Sequence, residues 1–156
     1  MGGHYAKIEP VQALFSPVQL PDSSLDMIVI SSAIHHADNM QSVLSDFNRV
    51  LKPNAYLIIL NETPSSGARY LYQITRAFAK MVWHISRKKY IPYAPKISAA
   101  GYLYDPYLGD VDYPTWYWKK AIASAGFELE KMIDTKLPTV KSSKGRSLVH
   151  FICKKQ

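Results

Sequence analysis

The most regular apolar pattern along the chain lies at residues 40–51. Met40, Val43, Leu44, Phe47, Val50 and Leu51 recur at helical spacing and form one stripe. Asp38 followed by Gln41 reads as a capping box at the start of this helix. Arg49 and Lys52 fall in its last turn, where the helix dipole favours cations. Pro53 stops it, and Asn54 tolerates the left-handed conformation of a tight exit. A short unbroken apolar run stands on either side: Met27, Ile28, Val29 and Ile30 before it, and YLIIL at residues 56–60 after it. Runs of that length, rich in β-branched residues, fit strands buried on both faces of a parallel sheet. Strand, helix and strand then make a βαβ unit with parallel strands and a right-handed crossover.

Beyond this unit PSSG at 64–67 breaks the pattern, and residues 68–87 read as a long helix with Leu71, Thr75, Phe78, Val82 and Ile85 on one stripe. Residues 90–113 show no period and contain Pro92, Pro95, Gly101, Pro106 and Gly109, which predicts a long structured loop. Pro114 opens another helix through about residue 125, and Gly126 follows its end. Residues 127–133 and 148–154 are the last two strands, most simply an antiparallel hairpin at the sheet edge. The basic stretch TVKSSKGRS at 139–147 joins them.

Composition narrows the class. A length of 156 residues, 47% hydrophobic and 20% charged, fits one globular domain. No apolar stretch is long enough for a membrane span, and MGGHYAKIEP has no run suited to a secretory signal. The single Cys153 excludes an internal disulfide, which favours a cytoplasmic location. The net charge of +7 is unevenly placed: residues 1–61 hold three Lys/Arg against five Asp/Glu, residues 62–156 sixteen against seven. A basic half attracts nucleic acid, anionic lipid or acidic substrates, or is simply a solvated surface; the charges are scattered rather than blocked.

The wording of residues 18–64, VQLPDSSLDMIVISSAIHHADNMQSVLSDFNRVLKPNAYLIILNETP, resembles the central block of the class I S-adenosylmethionine-dependent methyltransferases of small-molecule type. The matching residues are Leu25-Asp26 at the fourth strand, His36 after it, and Arg49-Val50-Leu51-Lys52-Pro53 at the end of the following helix. WYWKKAIASAGFELEKM, residues 116–132, resembles the family's later helix and sixth strand with its Ala-Gly-Phe junction. The resemblance covers about residues 18–154. It implies an α/β fold: a partial Rossmann-like methyltransferase sheet whose strands resemble 4-5-7-6, the last pair antiparallel. Residues 64–113 would form a helical, aromatic-rich lid insertion within a single truncated domain of residues 1–156.

The family's Gly-rich GxGxG loop has no counterpart here, since Gly2-Gly3 follow no strand. The acidic residue that contacts the cofactor's adenine falls near Leu14 or Phe15. The first three strands are therefore missing, or reduced to residues 7–15. The implied cofactor is S-adenosylmethionine, held in a half-site that leaves its adenosine exposed, so the chain alone is not expected to turn over. The strand of Met27, Ile28, Val29 and Ile30 becomes an edge, which needs cover from residues 5–15, from a second copy in a homodimer, or from a separate amino-terminal half.

Ligands of open α/β sheets bind at the carboxyl ends of strands. Ser31 and Ser32 there are expected to border the cofactor's methionine part. His35 and His36 are the candidate catalytic residues, His35 as a general base on an acceptor hydroxyl; the alternative is an imidazole that only fixes the loop. No metal site is read, because adjacent histidines without a third ligand at fixed spacing do not define one. Asn61 and Glu62 follow the next strand and can orient an acceptor or merely cap a turn. Tyr90, Tyr93, Tyr102, Tyr104, Tyr107, Tyr113, Trp116, Tyr117 and Trp118 fall within 29 residues. Tyr104, Tyr107 and Trp116 are the candidates for binding a large apolar or planar acceptor, against packing, an interface, or stacking on single-stranded nucleic acid. Three functions compete: a methyltransferase of small molecules lacking one half, a non-catalytic degenerate domain that binds or oligomerises, and, least favoured, a nucleic-acid-binding protein.

Overall fold

The computed structural model describes residues 9–13, 16–87, 97–98, 100–104, 110–138 and 147–156. Its elements are β1 (Leu25–Ser31), a 3-10 turn (Ile34–His36), α1 (Met40–Val50), β2 (Leu51–Glu62), α2 (Gly67–Ser86), α3 (Thr115–Ser124), β3 (Phe127–Pro138) and β4 (Ser147–Lys155). The four strands form one sheet in the order β1-β2-β4-β3. β1 pairs parallel with β2, and the other two pairings are antiparallel. This is the 4-5-7-6 arrangement that the resemblance implies.

Paired residues of neighbouring strands share a face. Ile28, Leu57, Cys153 and Leu129 make one row across the sheet, and Ile30, Ile59, Phe151 and Met132 the next. The core forms on this face, where α1 contributes Met40, Val43, Leu44 and Phe47 and α3 contributes Trp118, Ala121 and Ile122. Trp118 stacks on Phe151 with ring centroids 5.1 Å apart. Asn48 Nδ2 donates to the Gly126 carbonyl, and Lys155 Nζ donates to the carbonyls of Asn48 and Leu51. These bonds tie the end of α1 to the β3–β4 pair. Gly126 turns the chain from α3 into β3 at φ +81°, a conformation in which a side chain is strained.

The opposite face carries Met27, Val29, Tyr56, Ile58 and Ile152. Here the expectation that β1 is buried on both faces fails: Met27 is 51% and Val29 58% exposed. The core helices cover only one face, and β2 is the sole neighbour of β1 among the described residues. Residues 9–13 lie exposed and form no strand over it.

Other boundaries moved for local reasons. Asn39, not Asp38, caps α1 through its side chain, which accepts from Ser42 N. Pro53 falls inside β2, because the strand begins directly at Leu51 and a register shift between Leu25 and Met27 absorbs the irregular stretch. Asn54 does take the left-handed conformation, at φ 62°. α2 appears nearly as expected and is capped by the Ser66 hydroxyl, but Leu71, Phe78, Val82 and Ile85 of its apolar stripe are exposed. Tyr90, Pro92, Tyr93, Pro95, Pro106, Tyr107 and Gly109, most of the expected basic loop at 139–147, and Gly2, Gly3, Leu14 and Phe15 lie outside the described residues. No helix among the described residues is long and apolar enough to cross a membrane.

Candidate functional site

Parallel pairing brings the carboxyl ends of β1 and β2 side by side. Ser32 N donates to the Leu60 carbonyl, and Ser32 Oγ donates to the Asn61 carbonyl at 3.0 Å. Asn61 Nδ2 donates back to Ser31 Oγ at 3.0 Å, and Asn61 N donates to His150 Nδ1 on β4. Ser32 and Asn61 both have positive φ, 48° and 56°, so each strand leaves the sheet abruptly at the same level. The expected cofactor-side pair Ser31 and Ser32 and the expected acceptor-side Asn61 thus form one hydrogen-bonded rim. Ser31 and Ser32 are exposed there.

Glu62 is turned the other way. It is 0% exposed. Its Oε1 accepts from the backbone N–H groups of Ala33 (3.1 Å) and Ile34 (3.0 Å), and its Oε2 lies 2.7 Å from His35 Nδ1. A buried carboxylate must be matched by donors, and three donors converge on this one. Of the two roles read from the sequence, orienting an acceptor or capping a turn, the hydrogen bonds seen here belong to the second. The position of Glu62 fixes the 3-10 turn and the imidazole.

His35 Nδ1 donates to Glu62, so the neutral ring carries its lone pair on Nε2. The bond to Glu62 raises the His35 pKa above its ordinary value; burial opposes the rise, and the charges of Glu62 and Asp110 add to it. Nε2 faces Asp110, with Oδ1 at 3.8 Å. His36 approaches the same oxygen, Nδ1 to Oδ1 at 3.1 Å, and its ring lies 4.2 Å from that of His35. Asp110 Oδ1 is shielded from solvent yet has no partner aligned as a hydrogen bond among the described residues. His35, His36 and Asp110 each offer one ligand atom within 4.8 Å of the others, a set able to hold a metal ion.

Asp110 is brought here by a strap, residues 110–113, that ends the insertion. Val111 N donates to the His35 carbonyl at 2.7 Å, and the Tyr113 hydroxyl donates to the Ala37 carbonyl at 2.8 Å. Sequence reading missed Asp110 and His150, and named Tyr113 only as one of the aromatic cluster. A histidine pair calls for a carboxylate, but Asp105, Asp110 and Asp112 all lie in the aperiodic insertion, and spacing alone cannot choose among them.

The aromatic residues divide. Tyr113 is buried and stacks on Tyr117 at 5.2 Å, and Tyr102 packs against both of them, Tyr70 and Trp116. Burial pushes the Tyr102 and Tyr113 phenols up to about 12. Tyr104 is half-buried and forms an antiparallel bridge with Val111 of the strap. Trp116 stands 53% exposed on the first turn of α3. Tyr107 lies outside the described residues.

Against known proteins, a family model described as a methyltransferase domain matches residues 3–59. No curated protein sequence matches the chain. Among solved structures, an S-adenosylmethionine-dependent methyltransferase from Methanosarcina mazei is 18% identical with a TM-score of 0.56, covering 92% of this chain and 65% of that one. One from Thermotoga maritima is 15% identical with a TM-score of 0.58, covering 94% and 63%. The 1,6-didemethyltoxoflavin-N1-methyltransferase of Burkholderia thailandensis, solved with 1,6-didemethyltoxoflavin and S-adenosylhomocysteine, is 13% identical with a TM-score of 0.55, covering 94% and 50%. This chain therefore spans between half and two thirds of the length of these structures. At such identities the likeness is one of fold, and the fold is that of the class I S-adenosylmethionine-dependent methyltransferases, as residues 18–64 and 116–132 implied.

Proposed function

We propose that this chain is the acceptor-side part of an S-adenosylmethionine-dependent methyltransferase acting on a small molecule. One observation carries the reading: on a methyltransferase fold, the carboxyl ends of β1 and β2 present an imidazole whose tautomer a buried carboxylate fixes. Transfer of a methyl from a sulfonium rests mainly on alignment of donor and acceptor. The rim of Ser31, Ser32 and Asn61 borders the methionine part of the cofactor. His35 takes the acceptor's proton at Nε2, Glu62 holds the ring through Nδ1, and Tyr104 and Trp116 flank the acceptor.

The rest of the cofactor site would come from polypeptide that completes the sheet along β1, where Met27 and Val29 are exposed. The buried lone cysteine suits a reducing cytoplasm. Calorimetric titration with S-adenosylhomocysteine tests the division of labour. The chain alone is expected to give no saturable heat, and the chain joined to a polypeptide that completes the sheet is expected to bind and to transfer radiolabelled methyl. In that assembly His35→Ala should lower kcat about 10²-fold or more with little change in cofactor affinity. A completed sheet that binds cofactor and turns over equally well with His35→Ala would overturn the assignment of the base.

A second reading, a non-catalytic domain that oligomerises, is favoured by the same bare face of the sheet. A stable dimer that binds no cofactor, even when the sheet is completed, would support it.

A further inference from the structure

We infer that His35, His36 and Asp110 form a binding site for a divalent transition-metal ion. The inference stands on the side chains themselves and does not depend on the methyl-transfer reading.

Three donor atoms of suitable chemistry converge from two distant parts of the chain. His35, His36 and Asp110 each offer one ligand atom within 4.8 Å of the others, and Asp110 Oδ1 lies 3.8 Å from His35 Nε2 and 3.1 Å from His36 Nδ1. Metal–ligand bonds of about 2.0–2.2 Å hold neighbouring ligands about 3–4 Å apart, so an ion fits with small movements. The atoms face one another: Asp110 Oδ1, shielded from water, makes no aligned hydrogen bond among the described residues, and the His36 imidazole lies beside it. This oxygen faces both imidazoles, at 3.1 Å and 3.8 Å, and a cation between the three would satisfy it with better geometry than either contact alone.

The surroundings match what ligating imidazoles require. His35 gives its other nitrogen to Glu62 at 2.7 Å, which fixes the ring and makes Nε2 a better donor. Glu62 is itself held by the Ala33 and Ile34 N–H groups. Asp110 is anchored by the bond from Val111 N to the His35 carbonyl. The His36 side chain is 55% exposed, which leaves an entry path and open coordination positions. Two imidazoles and one carboxylate with open positions favour Zn²⁺, Mn²⁺, Fe²⁺ or Co²⁺ over Mg²⁺, which prefers oxygen ligands. With the ion in place Nε2 is a ligand rather than a proton acceptor. An acceptor oxygen bound at an open position would then release its proton to solvent, which reaches the exposed side of the site, because the ion lowers its pKa.

The test is calorimetric titration of the chain with Zn²⁺ and with Co²⁺, following the visible absorption of Co²⁺ in parallel. One ion per chain is expected, with no saturable heat from Mg²⁺. Asp110→Asn and His36→Ala should each weaken Zn²⁺ affinity at least about 10-fold, and Glu62→Gln about 10–100-fold, as loss of an outer-shell partner does. Thermal unfolding of each variant shows that it folds. If His36→Ala does not, the near-isosteric Asp110→Asn carries the test. Absence of saturable Zn²⁺ and Co²⁺ binding, or binding that Asp110→Asn leaves unchanged, overturns the inference. Neither result bears on whether a completed sheet transfers methyl groups, so the metal site and the methyl-transfer reading fail separately; saturable binding would replace only the role of His35 as base.

Discussion

Glu62 shows at the scale of one residue how this site is kept in place. Its carboxylate serves two backbone N–H groups and one imidazole from a fully buried position. Glu62→Gln keeps the shape and replaces an acceptor by a donor toward one of these groups. It should destabilise the chain by about 1–3 kcal/mol, the usual cost of a buried polar group left unpaired, read from urea unfolding. Gly126 is a second sensitive position: an added Cβ meets Asn48 Nδ2 at 3.1 Å on a backbone with φ +81°. Gly126→Ala should cost about 1–2 kcal/mol, since both the left-handed conformation and the Asn48 contact oppose it. At this scale legibility from the sequence was mixed. His35, His36, Ser31, Ser32 and Asn61 stood out because they follow strand-like runs, where open sheets place their ligands. Asp110 did not, because its role exists only once the strap from 110 to 113 lies on the 3-10 turn. Glu62 could be placed at the sheet edge but not turned inward, since direction depends on the N–H groups waiting beneath it.

Among the elements, α1 was the easiest to read, and the structure shows why. All of Met40, Val43, Leu44, Phe47 and Val50 are buried, so periodicity and packing agree. β1 misled for a physical reason: an apolar run states what a strand can bury, not what arrives to bury it. Its Ile28 and Ile30 are partly buried against the core while Met27 and Val29 face outward. α2 repeats the lesson with an apolar stripe that stays exposed. Substitutions can separate these cases. Ile59→Ala, at a fully buried site, should cost about 2–5 kcal/mol. Val29→Lys should change the stability of the isolated chain by less than about 0.5 kcal/mol. If a second copy covers β1, the same Val29→Lys variant should shift the mass measured by light scattering from dimer to monomer. An unchanged mass would remove that face from the interface.

For the molecule as a whole, the sheet order followed from the ordered resemblance rather than from periodicity, which cannot tell β1-β2-β4-β3 from other arrangements of the same strands. Chain-wide behaviour at high pH follows from groups the fold keeps neutral. Burial pushes Tyr102, Tyr113 and Cys153 each up to about 12, from ordinary values of 10.0 for the phenols and 9.0 for the thiol. The unfolded chain therefore ionises these groups first. Their contribution to stability is whole below pH 9 and is lost as the pH climbs toward 12. The urea midpoint should fall steadily across that interval, and Tyr113→Phe should flatten part of the fall.

Cys153 lies in the middle of β4, fully shielded, paired across the sheet with Leu57 and Leu129, and it is the only sulfhydryl the chain possesses. A coloured thiol reagent can reach it only when the sheet parts. The rate of colour development therefore clocks spontaneous opening without any engineered label, and each variant described above can be ranked on the same clock.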